Sequence, residues 1–199
     1  MTTSISIGAA SAYFDSKTWD KLPWSKIRKQ VFRLQMRIAK AVRQGKTGKA
    51  KALQRILTSS FYAKTLAVKR VTSNKGAKTP GVDGVLWRTN FQKIQAVFSL
   101  KRRGYRPSPL RRIYIPKRGN NKNLRPLSIP TMVDRAYQAL YRLALEPIAE
   151  EKADPNSYGF RRKRSAKDAI EQCFKVLGKG DRATYIYDGD IKSCFDCTY

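Results

Sequence analysis

The sequence has no histidine, three cysteines and only 14 acidic residues among 199. Cys194 and Cys197 have the spacing of half a zinc site, but no histidine or second cysteine pair is present to complete a tetrahedral ligand set. They are read as packing residues. With Cys173 the count is odd, which argues against a secreted disulfide scaffold and for a reducing compartment. No apolar run reaches the length needed to span a bilayer. The opening MTTSISIGAASAYF lacks the charged leading region of a signal peptide, so residues 1–18 are expected to be a disordered leader. Acids are scarcest in the middle: between Lys21 and Val133 the only one is Asp83.

Against those absences stand 42 Lys and Arg, a net charge of +28 and a pI near 10.4. A surface with so little counter-charge repels itself unless a polyanion covers it, so RNA or DNA is the expected partner. A solvated, highly charged face is the bland alternative. An anionic membrane surface would need an apolar stripe left free for lipid, and no membrane association is expected. Hydrophobic residues make up 41% of the chain, enough for a core at this length.

The periodicity predicts a helix from Ser25 to about Arg43, with Ile27, Val31, Leu34 and Ile38 on one face. Lys26, Lys29, Arg33, Arg37 and Lys40 form a neighbouring cationic stripe. One continuous helix is expected from about Lys49 to Val71, with Leu53, Leu57, Phe61 and Val68 inward. Residues 72–90 are dense in turn formers and read as a loop. A helix from Phe91 to Arg103 should end at Gly104. Arg111–Ile115 and Arg125–Ile129 read as the arms of a hairpin whose tip lies at Gly119–Asn123. Between Lys101 and Arg125 there are ten Lys or Arg and no acid. A helix from Thr131 to Glu151, a basic turn SYGFRRKRS, a helix capped by Ser165 running to Leu177, and a strand from Tyr185 to Ile191 complete the expected elements.

Two places carry chemistry. The apolar strand TYIYDGDIKSCFD would deliver carboxylates at its end, and a magnesium site for phosphoryl transfer needs hard oxygen ligands held this way. An Asp at a strand end is more often a cap or turn residue, but Phe195, five residues on, would lie beneath the sugar of an incoming nucleotide. In the hairpin, Lys117 and Arg125 sit on opposite arms, eight positions apart. Spacing alone supports a triphosphate clamp and a pair of exposed cations equally.

In order along the chain, TPGVDG (79–84), RRIYIPK (111–117), LRPLSIPTMVDRAYQAL (124–140), LEPIAE (145–150), SYGFRRKRS (157–165) and DIKSCFD (190–196) resemble the early blocks of group II intron-encoded reverse transcriptases. The resemblance begins near Trp19. It implies an α+β fold: a helical, basic N-terminal extension over residues 19–104, then the fingers and first palm strand of a right-hand polymerase over 105–199.

The resemblance further implies that Asp190 is the first catalytic aspartate and that the Ile191 carbonyl helps hold the metal. Phe195 would be the gate against a ribose 2′-hydroxyl. Lys117 and Arg125 would grip the nucleotide phosphates, as charge-assisted contacts suit them to do. Arg111 and Arg112, with Arg161 and Arg162 of the basic turn, would contact RNA alongside the stripe from Lys26 to Lys40. Asp188 and Asp196 are expected to be structural.

Such enzymes also need a Tyr-x-Asp-Asp segment, which this sequence lacks. Mg2+ is therefore expected only if the missing palm completes the site, and the polypeptide is expected not to polymerise DNA alone. The expected partners are intron RNA, template-primer and a missing C-terminal half. An intracellular setting is expected, bacterial cytoplasm or organelle. A stand-alone RNA-binding protein and a degenerate fragment are the alternative readings.

Overall fold

The computed structural model describes residues 19–117, 120–178, 180 and 183–191, apart from the side chains of residues 117 and 120–123. The predicted leader, residues 118–119, and Cys194, Phe195, Asp196 and Cys197 lie outside the described residues, while Asn120–Asn123, predicted as hairpin tip, belong to the returning strand. The described part is mixed, mostly helical with one small antiparallel sheet. The chain divides into two compact units, the first ending at Glu151 and the second beginning at Lys152.

In the first unit, α1 (Trp24–Arg43) packs against α2 (Thr47–Ser59) and α3 (Phe61–Ser73). Ile27, Val31 and Ile38 are buried as the periodicity requires, and Leu34 is half-buried. The single helix expected over 49–71 is in fact two. Ser60 adopts an extended backbone, φ −66° and ψ 133°, and separates them. Serine competes with helical hydrogen bonding through its own hydroxyl, so a Ser59-Ser60 pair is a natural break. Leu57 and Val68, on either side of the break, both reach full burial in the same core.

Helix α4 (Asn90–Ser99) starts at a reciprocal cap. Thr89 Oγ1 accepts from Gln92 N, and Gln92 Oε1 accepts from Thr89 N. It ends short of the predicted Arg103, because the Lys101 backbone bonds a side chain instead. Its N–H donates to the Tyr137 hydroxyl at 2.9 Å, and that hydroxyl donates to the Lys101 carbonyl at 2.7 Å.

Strands β1 (Arg111–Lys117) and β2 (Asn120–Ile129) pair antiparallel, with Arg111 opposite Ile129 and Ile115 opposite Arg125. The register shifts between Pro116 and Lys117. Helix α5 (Met132–Lys152) contains Pro147, which has no N–H for the Leu143 carbonyl one turn back. Gln35 Nε2 of α1 donates to that carbonyl at 2.9 Å, and Gln54 Nε2 of α2 donates to the Ala144 carbonyl at 3.0 Å. Two glutamines thus satisfy backbone oxygens at the proline and tie three helices together.

The second unit holds a turn with Phe160 and Lys163 in the left-handed region, at φ 59° and 57°, followed by α6 (Ala166–Leu177). Asp168 Oδ2 accepts from both Ser165 N and Ser165 Oγ, fixing the start of α6 as predicted. The strand expected over 185–191 does not form: residues 183–191 carry no ladder, and Tyr185, Ile186, Tyr187 and Ile191 are exposed. A strand exists only through hydrogen bonds to a neighbour, and no described segment pairs with this one.

Candidate nucleic-acid interface

Helix α1 separates its apolar and cationic residues by face. Lys26, Lys29, Arg33, Arg37 and Lys40 are all exposed, while Ile27, Val31 and Ile38 anchor the opposite side. Over 20 residues the helix runs about 30 Å, long enough for several phosphates. Its packed face fixes the axis, so the cations project from a rigid rod. The sequence contains no acid on α1; from α5, Glu151 takes Arg43 in a two-pronged pair at 2.7 and 3.0 Å.

A second feature joins the TPGVDG loop to the start of α5. Arg135 donates from Nη2 to the Thr79 carbonyl at 2.7 Å, from Nη1 to the Gly76 carbonyl at 2.8 Å and from Nε to the Pro130 carbonyl at 2.9 Å. Gly81 is pressed so closely on Thr131 that a Cβ there would lie 2.6 Å from the Thr131 Cα. A side chain larger than hydrogen cannot occupy that position without moving the backbone. Burial lowers the Arg135 pKa while nearby Asp83 raises it, yet a guanidinium stays charged at any working pH. The loop carrying Lys75 and Lys78 is therefore bolted to α5.

Behind that bolt lies a buried polar network. Asp134 accepts from the Tyr105 hydroxyl at 2.5 Å, from Thr131 Oγ1 at 2.6 Å and from the backbone near Ser108. Burial pushes the Asp134 carboxyl up, but the hydrogen bonds from Thr131, Tyr105 and Ser108 outweigh it and hold the pKa below the usual value. Desolvation, followed by the Asp134 contact, drives the Tyr105 phenol well above its ordinary pKa. Tyr105 also stacks on Tyr137 with ring centroids 3.8 Å apart. The segment leading into β1 is held at both its ring and its hydroxyl. Sequence reading missed Arg135, Asp134 and Tyr105, because each depends on a partner 29 to 59 positions away.

The hairpin divides the residues that the sequence treated together. Neighbouring strand residues face opposite sides, so Arg111 and Arg112 point to opposite faces of the sheet. Arg111 shares its face with Ile113, Ile115 and Arg125 through the register, and its guanidinium reaches toward the Pro80 carbonyl at 3.5 Å. Arg112 shares the other face with the exposed Tyr114. Arg125 is exposed and lies opposite Ile115, two positions before Lys117. The side chain of Lys117 lies outside the described residues.

Asp190 and Ile191 belong to the second unit. Asp190 is exposed, and its Oδ1 accepts the Ile191 N–H at 2.9 Å. In the basic turn, Arg161 Nη1 donates to the Asp154 and Ser157 carbonyls at 2.8 and 3.0 Å, so this arginine serves the turn itself. Arg162 is exposed, and Arg164 lies over the Tyr158 ring at 5.6 Å.

Two family models match the chain: the N-terminal domain of reverse transcriptase over residues 19–100, and reverse transcriptase (RNA-dependent DNA polymerase) over residues 115–197. Among curated proteins, the group II intron-encoded protein LtrA of Lactococcus lactis is 40% identical over 66% of this chain and 22% of its own length. Protein YkfC of Escherichia coli is 38% identical over 74% of this chain and 40% of its own length. Maturase-like protein 1 of Euglena gracilis is 28% identical over 74% of this chain and 32% of its own. The chain thus spans well under half the length of these relatives. The packed basic helices fall within the first matched family region, and the hairpin and Asp190 fall within or beside the second. The chain belongs to the group II intron-encoded reverse transcriptase and maturase family.

Proposed function

We propose that residues 19–104 are an RNA-gripping extension and that residues 105 onward are the fingers and start of the palm of a right-hand polymerase acting on intron RNA and template-primer. The observation that carries this reading is α1: one face is locked into a core while Lys26, Lys29, Arg33, Arg37 and Lys40 stand exposed on the other. Arg112 on the sheet of the first unit and Arg162 in the basic turn of the second are further exposed cations in this reading. Arg111, held near Pro80, and Arg161, held in its turn, act first through shape.

In this reading Asp190 is the metal-binding aspartate, the Ile191 carbonyl is its neighbour ligand, and Lys117, Arg125 and Phe195 receive the nucleotide. A carboxylate and a peptide carbonyl are the hard oxygens Mg2+ prefers, so the donor chemistry fits. The number of donors does not suffice: among the described residues no group of three or more His, Cys, Asp or Glu converges. A two-ion site needs more carboxylates than Asp190 supplies, and the sequence holds no Tyr-x-Asp-Asp. These 199 residues therefore bind RNA without polymerising DNA until a further palm segment completes the site.

The test is primer extension by the purified chain on an RNA template with Mg2+, beside a filter-binding assay on the same template. The reading expects retention of the RNA and no extension. Asp190-dependent synthesis would refute the inactive state, and failure to retain RNA would refute the grip. A stand-alone RNA-binding role is the second reading, favoured by the first unit having a core of its own. Addition of a polypeptide carrying the missing palm distinguishes the two, since only the first reading gains extension.

A further inference from the structure

Phe32 and Met36 stand on the cationic side of α1, 59% and 51% exposed, although a large apolar side chain there contributes nothing to the core. At 100° per residue, Phe32 and Met36 fall on adjoining lines of the helix surface, about 6 Å apart along the axis. Exposed Arg28 borders them on one side, and exposed Lys29, Arg33 and Lys40 border them on the other. The apolar face of the helix is already spent: Ile27, Val31, Ile38, Ala39 and Ala41 are buried. The pair is a separate stripe, a ring and a thioether set in a field of positive charge.

Three kinds of occupant differ in what they ask of such a stripe. A lipid surface needs a broad apolar face, and two side chains flanked on both sides by cations do not make one. A second copy of this chain would set one acid-free helix against another, opposing like charges. A nucleic acid uses both halves of the pattern, because phosphates take the cations and a base takes the ring. Only an unpaired base offers its face, since bases in a duplex are already stacked on each other.

We propose that Phe32, supported by Met36, is a stacking platform for an unpaired RNA base whose flanking phosphates are held by Arg28, Lys29, Arg33 and Lys40. The inference rests on the RNA grip proposed above and deepens it. It names the RNA class taken by α1 as single-stranded or splayed-out segments, with the duplex as the poorer ligand.

The experiment measures the affinity of the 199-residue chain for an oligouridylate and for a blunt RNA duplex of equal length, across a salt series. Phe32→Ala should weaken oligouridylate binding about tenfold, the scale of one base–aromatic stack, and leave duplex binding and the salt slope unchanged. Phe32→Trp should restore the affinity, whereas Phe32→Leu, apolar but without a ring, should not. Arg33→Gln should do the converse, lowering the salt slope on both ligands. Equal losses on both RNAs, no loss on oligouridylate, or wild-type binding by Phe32→Leu would each overturn the platform. A self-association abolished by Phe32→Ala with RNA affinity untouched would assign the stripe to a second copy and overturn it too. Steep salt dependence with indifference to Phe32 would defeat the platform alone, while weak, salt-independent binding by the wild type would defeat the RNA grip with it.

Discussion

Residues 19–151 and residues 152–191 use apolar side chains in opposite ways. In the first region Ile27, Ile38, Leu57, Val68 and Met132 are buried in one cluster, and the polar groups behind them are paired. In the second no described residue is buried, and Phe160, Ile170, Phe174, Tyr185 and Tyr187 face outward. Yet α6 forms there and the predicted strand does not. A helix makes its hydrogen bonds within itself, so a local cap such as Ser165 with Asp168 suffices to start it. A strand makes its bonds to a neighbour, and no local signal can replace one. The residues proposed for RNA thus rest largely on packed structure, whereas Asp190 rests on a segment that has none.

The largest effect that separates the regions is a cavity. Leu57→Ala, at a fully buried position, should cost about 2–5 kcal/mol in chemical denaturation. The same truncation at Phe174, which is 75% exposed, should stay within about 0.5 kcal/mol. Comparable losses at the two sites would erase the distinction between the regions.

Next comes the Asp134 network. Tyr105→Phe removes one donor from a buried carboxylate and should cost about 1–3 kcal/mol. The Asp134 pKa is lowered in the fold, so its stabilisation is present above the unfolded value of about 3.9 and is lost as pH falls through the folded value. Thermal melts taken down through that range should show a steeper decline for the wild type than for Asp134→Asn.

The proline clasp should give about 1 kcal/mol. Gln35→Ala leaves the Leu143 carbonyl without its donor, and Pro147→Ala in the same background should recover stability by restoring an N–H. If the second substitution worsens the first, the clasp has been misassigned. The smallest effect belongs to the second region: Asp168→Ala should reduce helicity in circular dichroism through fraying of α6 while leaving the main unfolding transition in place.

The sequence revealed those elements whose causes lie within a few residues. The amphipathic period of α1, the turn residues beside the hairpin and the Ser165 cap each gave an element close to its observed place. The Ser60 break escaped because the apolar pattern runs through it, and α4 ended early because Tyr137, 36 positions on, takes the Lys101 backbone. The glutamine donors at Pro147 were invisible for the same reason, lying 108 and 90 positions from their carbonyls. At the candidate interface, the cationic stripe was legible from spacing. The opposite facing of Arg111 and Arg112 follows from strand alternation, and the engagement of Arg161 with its own turn required the fold.

The most direct test of the account is the salt dependence of RNA affinity, measured for the wild type and for Arg33→Gln and Arg37→Gln. The account predicts a log–log slope of several units, falling by about 0.7 for each cation removed from a single-stranded contact. A flat response, or a slope indifferent to both substitutions, would contradict the claim that the packed first region exists to hold RNA.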